Sequence, residues 1–552
     1  MGKRMLRKVL CLILSVVMVL SVTGCKKSED TKNEDANNGS SNQPTQSAGD
    51  TSNSNETSTK LSDKEITVSV LLSDNTNQPI KNFAPAQQEI FDKTNIKLDY
   101  QVVPTSNYEE KKSVLLATNN FPDFVYVRRN DLVQYGSTGV FQPLMQYVNE
   151  ETMPNFYKFW KEYPEMENYL IDGELYAFPV IQRGEIANGF GPVIRTDLLE
   201  KHNIDIPQTF DELLDVLVQL KELYPDSIPW TGRKGTIQLL KTTSYMLGSG
   251  YGNTGLYYDY DVDGGSYVYG PATKEFKAVL SFLNKAYEAG VLDPDFATTT
   301  GEQLESKMTS GKSFLYIDNS GFGMNYNPTL REIAGDESAT LQLIPIPKNS
   351  FGQSRAISYE TALPDRFYAL NAGSDNIDTL VKFIDWMYSD EGSDISNYGK
   401  EGYSFTYNEK GEPEYIKDYV MQFKGANPST YYAVFADLGV TKLNFSLYAC
   451  NIKTTMEIQK MVGDWTNDMD EYWNIVQTDN AYKPPHIDPS MTTDEAERAA
   501  DILIELNTML EQEYNKYIMG VEPIDNWDSV IERANKLGAR ELEEIYNNAQ
   551  NR

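Results

Sequence analysis

The tightest constraint on how this chain can fold is an alternation of short apolar runs between residues 66 and 127. Ile66 to Leu72 sets β-branched residues against polar ones, the period-two pattern of a strand. Phe83 to Lys93 carries helical spacing. Ile96 to Val103 reads as a second strand, Tyr108 to Thr118 as a second helix, and Phe124 to Val127, behind Pro122-Asp123, as a short buried strand. A β-α-β-α-β order implies parallel pairing, because a parallel partner is reached only through a crossover such as a helix. The result is a layered α/β lobe. Ligands of such sheets sit at the carboxyl ends of strands, which places Asn75, Arg128, Arg129 and Asn130 at the candidate binding edge.

A second unit is expected after Asp172-Gly173-Glu174-Leu175-Tyr176-Ala177-Phe178-Pro179. Pro192 to Ile194 is strand-like. Thr209 to Glu212 forms a capping box for a helix with Leu213, Leu217 and Leu220 on one face. Phe276 to Glu288 is a helix closed by Gly290, and Phe314 to Ile317 is a strand ending at Asp318-Asn319. Ile377, Leu380, Ile384 and Met387 mark an amphipathic helix. Thr492 to Glu495 caps a long one that buries Leu503, Leu506, Leu510, Tyr514 and Tyr517.

The N-terminus says where this body folds. Lys3, Arg4, Arg7 and Lys8 precede an apolar run from Val9 to Leu20, the order of a secretory signal over residues 1–24. The run is shorter than the ~20 residues needed to span a bilayer. Val22-Thr23-Gly24-Cys25 resembles a bacterial lipobox, which implies that Cys25 is diacylated and holds the rest of the chain on the outer face of the membrane. From Lys26 to Lys60 there is no Ile, Leu, Val, Met or aromatic residue, so residues 25–64 are expected to be a disordered tether with a reach on the order of 35 Å.

Net charge is −31, and removal of the four basic residues of the leader takes it to −35. That excludes nucleic acid and adhesion to anionic lipid, both of which need basic surface. Of three cysteines, Cys11 leaves with the leader and Cys25 is committed to lipid, so Cys450 has no disulfide partner. Roughly 490 residues must therefore hold together by burial alone.

The chain holds two histidines, His202 and His486, in a polar helix end and a Pro-rich loop. Triad chemistry and histidine-rich zinc sites are both poorly supplied. Gly250-Tyr251-Gly252-Asn253-Thr254-Gly255 and Gly311-Lys312-Ser313 mimic phosphate loops, but neither has the strand-then-helix context such loops require. Asp259 to Gly264 copies half of a calcium loop, yet the bidentate position falls on Gly270, so a hairpin turn is the better reading. A glycosidase carboxylate pair could hide among the 80 acids. Aromatics are the stronger candidates, because sugar rings present apolar faces to them while sugar hydroxyls need Asp, Glu, Asn and Arg. Trp230, Tyr316 and Phe322 are read as stacking residues, and Trp386, Trp465 and Trp527 as core.

Several stretches occur in a telling order: Phe121-Pro122-Asp123-Phe124-Val125-Tyr126, the Asp172 to Pro179 run, Ile194 to Leu199 and Pro207 to Glu212. This order resembles that of family 1 extracellular solute-binding proteins. Phe383 to Gly392 with Asn397 to Gly402 after it, and Tyr517 to Gly520 with Trp527-Asp528 and Leu537-Gly538 after it, resemble its LipO-like lipoprotein branch, which serves carbohydrate ABC importers.

The resemblance implies a two-lobed α/β fold of the periplasmic-binding-protein type II kind, with lobes joined by crossing hinge segments and a helical C-terminus. Residues 65–179 and 355–405 would form lobe I, and 180–354 with 406–552 lobe II and its hinge-packing helices. Mapped by motif position, Arg128, Asn130, Arg183, Glu185, Asp318, Asn319 and Glu360 would face the cleft. The implied protein is a monomer anchored through Cys25. It captures an oligosaccharide by closure and passes it to ABC permease subunits, without cofactor, metal or catalytic residue. The rival readings are a tethered polysaccharide-degrading enzyme, a peptide-binding lipoprotein and a sensor.

Overall fold

The computed structural model describes residues 60–74, 78–183, 189–252, 255–262, 264–358, 362–427, 429–440 and 445–552. The chain divides into two compact units, Met1–Ser58 and Thr59–Arg552, and all described residues belong to the second. The leader, Cys25 and nearly all of the expected tether lie outside them, as do Asn75, Glu185, Glu360 and Asp263.

The alternation at residues 66–127 folds as its spacing dictates. Strands β1 (Ile66–Asp74), β2 (Ile96–Pro104) and β3 (Phe124–Val127) pair in parallel, with Ile66 opposite Ile96 and Val70 opposite Phe124. Val68, Val70, Leu71 and Leu72 are all buried, the run expected of a strand covered on both faces. β2, at the edge, buries only Ile96, Leu98 and Tyr100 and turns Asp99 and Gln101 outward. Two distant segments complete the sheet. β8 (Phe367–Leu370) pairs antiparallel with β3, and β4 (Phe178–Pro179) antiparallel with β8, giving the order β2-β1-β3-β8-β4.

A second sheet is antiparallel throughout. β5 (Phe190–Arg195) lies between β7 (Leu341–Leu343) and β6 (Leu315–Asn319), with Phe190 opposite Asn319. Its core collects Ile194, Leu213, Leu217, Leu220, Phe276 and Leu315 together with residues of the last three helices, Thr493–Ile518, Trp527–Lys536 and Ala539–Gln550. Thr492 accepts from the Glu495 amide and Glu495 caps in return, so the predicted capping box is formed. Trp527 is buried against Phe276 and Tyr514 and donates its indole N–H to the Pro271 carbonyl at 2.8 Å. Trp386 and Trp465 are only partly buried.

Each sheet centres its own core, and the two cores are two lobes. The cores depart from the expected division at several places, and Val180 and Ile181 enter the first core and Ala356 the second. Residues 406–462 are expected with the second lobe, but Tyr415, Tyr419, Val434, Leu438 and Ile458 pack with Ala86, Tyr398 and Phe405, and Gln87 donates to the Gly439 carbonyl at 3.1 Å. Phe445, Leu447 and Ala449 enter the first core as well. The cause is connectivity: the Asp390–Tyr398 helix already lies on the first lobe, and the apolar faces that come after it bury against it.

Ile181 belongs to the first core and Phe190 to the second, Ala356 to the second and Leu363 to the first, and Val462 to the first lobe and Tyr472 to the second, which marks three passages between lobes. Two short parallel pairs brace these passages, Ile181–Gln182 with Tyr448–Ala449 and Ala356–Ile357 with Tyr482–Lys483. Gly189 stands where the Tyr482 ring comes so close that an added Cβ would fall 2.1 Å from it.

Candidate functional site

On the first lobe the carboxyl end of β3 runs directly into the Arg129–Tyr135 helix. Asp131 caps that helix by accepting from the Arg128 amide at 2.7 Å, and is itself held by the fully buried Lys112 ammonium at 2.6 Å. This fixes the backbone while the Arg128 side chain, 47% exposed, lies over the Tyr126 ring and donates to the Asp365 carbonyl at 2.8 Å. Asn130 is exposed in the first turn. Arg129 points elsewhere, donating to the carbonyls of Asn168 and Pro489, and so ties the first lobe to the strap leading into the C-terminal helices. At the first passage Arg183 donates to Asp394 at 2.7 Å and lies over the Tyr448 ring, and the other Asp394 oxygen accepts from the Tyr407 hydroxyl at 3.1 Å.

On the second lobe Asp318 closes β6. It is 2% exposed and holds Arg233 bidentately at 3.0 and 2.9 Å while accepting from Gln238 at 3.2 Å and from the Asn319 amide at 2.6 Å. With so many donors already on its oxygens, Asp318 serves to orient. What it orients is the Arg233 guanidinium, which lies over the half-buried Phe322 ring at 4.8 Å. The Asn319 side chain accepts from the Gly321 amide at 2.9 Å and shapes the turn. Ser320 binds the Gly189 carbonyl through both its amide and its hydroxyl, so this edge adjoins the passage.

Two expected stacking residues are not available to a ligand. Trp230 is 1% exposed: the Pro-flanked segment that reads as a break is a buried bridge, with the Trp230 amide bonded to the Val291 carbonyl and that of Thr231 to Leu315. Tyr316 is fully buried on the inner face of β6 and accepts from the Gly323 amide at 2.7 Å. Sequence reasoning did not single out Arg233 and Gln238, which only the fold brings to Asp318.

The remaining chemistry is accounted for. His486 stacks on Tyr258 at 3.6 Å with its Nδ1 3.0 Å from the Tyr267 hydroxyl, and burial pushes its pKa down to about 4. His202 meets the Tyr224 hydroxyl at 2.9 Å. The Cys450 thiol is buried, which pushes its pKa up to about 12 and leaves it a poor nucleophile. In the half calcium loop, Asp261 takes the Arg355 guanidinium at 2.8 Å and Asp259 lies 3.6 Å from it, so a fixed side-chain cation stands beside these acids. The described residues contain no group of three side chains suited to a metal. Cavities of about 510 Å³, beside Lys348 and Asp479, and about 330 Å³, beside Asp172 and Arg552, are lined by neither Arg128, Arg233 nor Phe322.

Two sheet-centred lobes joined by short passages, with charged and aromatic groups at the strand ends beside them, define a two-lobed binding protein. The chain belongs to the bacterial extracellular solute-binding protein family, whose profile matches residues 73–394. It is 24% identical over 494 residues to the polygalacturonan/rhamnogalacturonan-binding protein YtcQ of Bacillus subtilis, covering 84% of this chain and 87% of that one. Lipoprotein LipO of the same organism is 22% identical over 364 residues, 63% of this chain and 70% of LipO. The alginate-binding protein AlgQ2, solved without calcium ion, superposes with a TM-score of 0.70 at 20% identity, covering 90% of this chain and 99% of that one, a likeness of fold. Among the described residues no helix is long and apolar enough to cross a membrane.

Proposed function

We propose that this chain is a lipid-anchored extracellular receptor that captures an oligosaccharide between its lobes and passes it, chemically intact, to the permease subunits of an ABC importer. The observation that carries the reading is the Asp318–Arg233–Phe322 arrangement, a guanidinium held over an aromatic ring beside the passage between lobes. Hydroxyl-rich rings need fixed donors and an apolar face, and this edge offers both. The binding of polygalacturonan and rhamnogalacturonan by YtcQ points the same way. Closure favours the loaded state because contacts from both edges are complete only when the lobes meet. Arg128, Asn130 and Arg183, with Asn75, Glu185 and Glu360, remain the assigned ligand-facing set for the first lobe and its passages.

A thermal-shift screen of the purified chain against pectic, alginate-derived and neutral oligosaccharides tests this. A ligand at a hundred times its Kd adds about 2.7 kcal/mol. Release of shortened product during incubation would instead establish the enzyme reading. Cys25→Ala should move the protein from the membrane fraction to the medium; retention would refute the anchor.

A further inference from the structure

The strands Leu256–Asp259 and Ser266–Tyr269 pair antiparallel, with Asp259 opposite Ser266, so the half calcium loop forms the turn of a hairpin. A calcium loop winds its chain round the ion and closes on a bidentate carboxylate about twelve residues from its start. This chain leaves that path early. The Gly265 amide bonds the Val262 carbonyl at 2.7 Å, Gly264 and Gly265 both take positive φ, and the second strand begins at the next residue. The bidentate position, Gly270, has no room for a side chain, since an added Cβ would stand 2.0 Å from the Gly250 carbonyl oxygen. The donor set of a calcium loop is therefore incomplete here.

What faces Asp259 and Asp261 instead is Arg355. Its side chain is 5% exposed, its Nη1 donates to Asp261 at 2.8 Å, and its Nη2 lies 3.6 Å from Asp259. The guanidinium rests on the Tyr245 ring at 3.7 Å, a face that attracts a cation. Its Nε and Nη2 have no hydrogen-bond partner among the described residues, so charge and ring hold it more than hydrogen bonds do. Neighbouring carboxylates repel one another without a cation, and a buried guanidinium stripped of its carboxylates is costly as well. Each group supplies what the other lacks. The Asp259 oxygens are also taken up within the hairpin, one by the Asp261 amide and one by the Tyr257 hydroxyl, both at 3.0 Å.

Arg355 comes from outside the hairpin. It directly precedes Ala356–Ile357, the passage strand that pairs with Tyr482–Lys483. The hairpin grips the other member of that pair too, because the Tyr260 hydroxyl donates to the Pro484 carbonyl at 2.7 Å and Tyr258 stacks on His486. The loop thus clasps both chains of the brace. We infer that Arg355 is the built-in cation of the Asp259–Gly264 loop, doing there what a divalent ion does in a calcium loop, so that the hairpin and the passage it clasps are ordered without calcium. The inference is independent of which solute the protein binds.

The test is thermal unfolding of the full chain in detergent, in EDTA and in about 10 mM calcium at matched ionic strength. The natural chain should unfold at the same temperature in both. Arg355→Met keeps the bulk of the side chain but not its charge, and should lower the midpoint by roughly 6 °C in EDTA. Calcium should restore about half of that loss, because the uncovered acids then take a divalent ion weakly. The Ala356 and Ser358 amides, bonded to the Ala481 and Lys483 carbonyls, should exchange faster in the variant and slow again with calcium. Asp261→Asn, at a side chain that is 45% exposed, should lower the midpoint by a smaller amount without any response to calcium. A calcium-induced rise in the natural chain overturns the inference. So does an Arg355→Met whose loss calcium leaves untouched, since Arg355 would then act through packing on Tyr245 alone. Should Arg355→Met fail to fold, an Asp261→Asn midpoint equal to that of the natural chain overturns the inference, and a lowered one supports it.

Discussion

The two lobes solve the same problem with opposite topologies. The first builds its sheet around three parallel strands, β1 to β3, close together in sequence, with helices between them. The second builds a smaller, antiparallel sheet from segments at 190–195, 315–319 and 341–343, so most of its pairing spans more than a hundred residues. Local pairing registers itself through turns and crossovers. Long-range pairing depends on the buried side chains that bring distant segments together. The second lobe should therefore be the more fragile to single core substitutions, and the first the more tolerant.

Trp230 offers the most severe break. Its backbone bridges Leu292 and Leu315, and its ring fills the second core against Phe282. Trp230→Ala should cost about 3–5 kcal/mol. Calorimetry should then resolve an early transition for the second lobe ahead of the first. Phe322→Ala, at a half-buried ring under Arg233, should cost far less stability and weaken sugar binding instead. A single unchanged transition in Trp230→Ala would show that the lobes do not differ in this way.

A finer comparison comes from the lysine paired with a buried carboxylate in each lobe. In the first, Lys112 is shared by Asp131 and Glu109, both at 2.6 Å. In the second, Lys307 is the ammonium partner of Asp293, which is fully buried. Lys307→Met strands a carboxylate in the core and should cost about 3 kcal/mol or more. Asp131→Asn leaves Lys112 with Glu109 and should cost roughly half as much, read as a smaller fall in urea midpoint at constant slope. Equal costs would remove the distinction.

Legibility from sequence divides along the same line. Val68, Val70 and Ile96 announce their strands because a short run rich in β-branched residues is a local signal, and Thr492 with Glu495 announces a helix start for the same reason. Trp230 misleads because Ile228-Pro229-Trp230-Thr231-Gly232 looks like a break, while the partners that bury it lie at Leu292 and Leu315. Residues 406–462 fall to the wrong lobe because their burial against Tyr398 and Ala86 leaves no mark on local spacing. In the candidate site, Asp318 and Phe322 are the residues a strand end suggests. Arg233, the residue they position, is not one of them, since only the fold brings it to them.

The smallest expected effect separates the lobes by pH. His486, beside Tyr258 and Tyr267 of the second lobe, has a folded pKa of about 4 against an ordinary 6.5, lowered by burial. The folded state therefore holds fewer protons than the unfolded one between those values. The stability this site contributes is complete above pH 6.5 and is lost as pH falls through 4. Glu457 on the first lobe accepts from the Tyr415 amide, and burial raises its pKa from 4.5 to about 7. Its contribution is complete below pH 4.5 and is lost as pH rises through 7. Each is worth on the order of 1–3 kcal/mol at full titration. His486→Gln should flatten the acid side of the stability profile and Glu457→Gln the neutral side, each leaving the other limb intact. Because the two pKa values are displaced in opposite directions on different lobes, acid should loosen the second lobe while it tightens the first. Hydrogen exchange at about pH 4.5 and about pH 7.5 would show that divergence, and parallel changes in both lobes would contradict it.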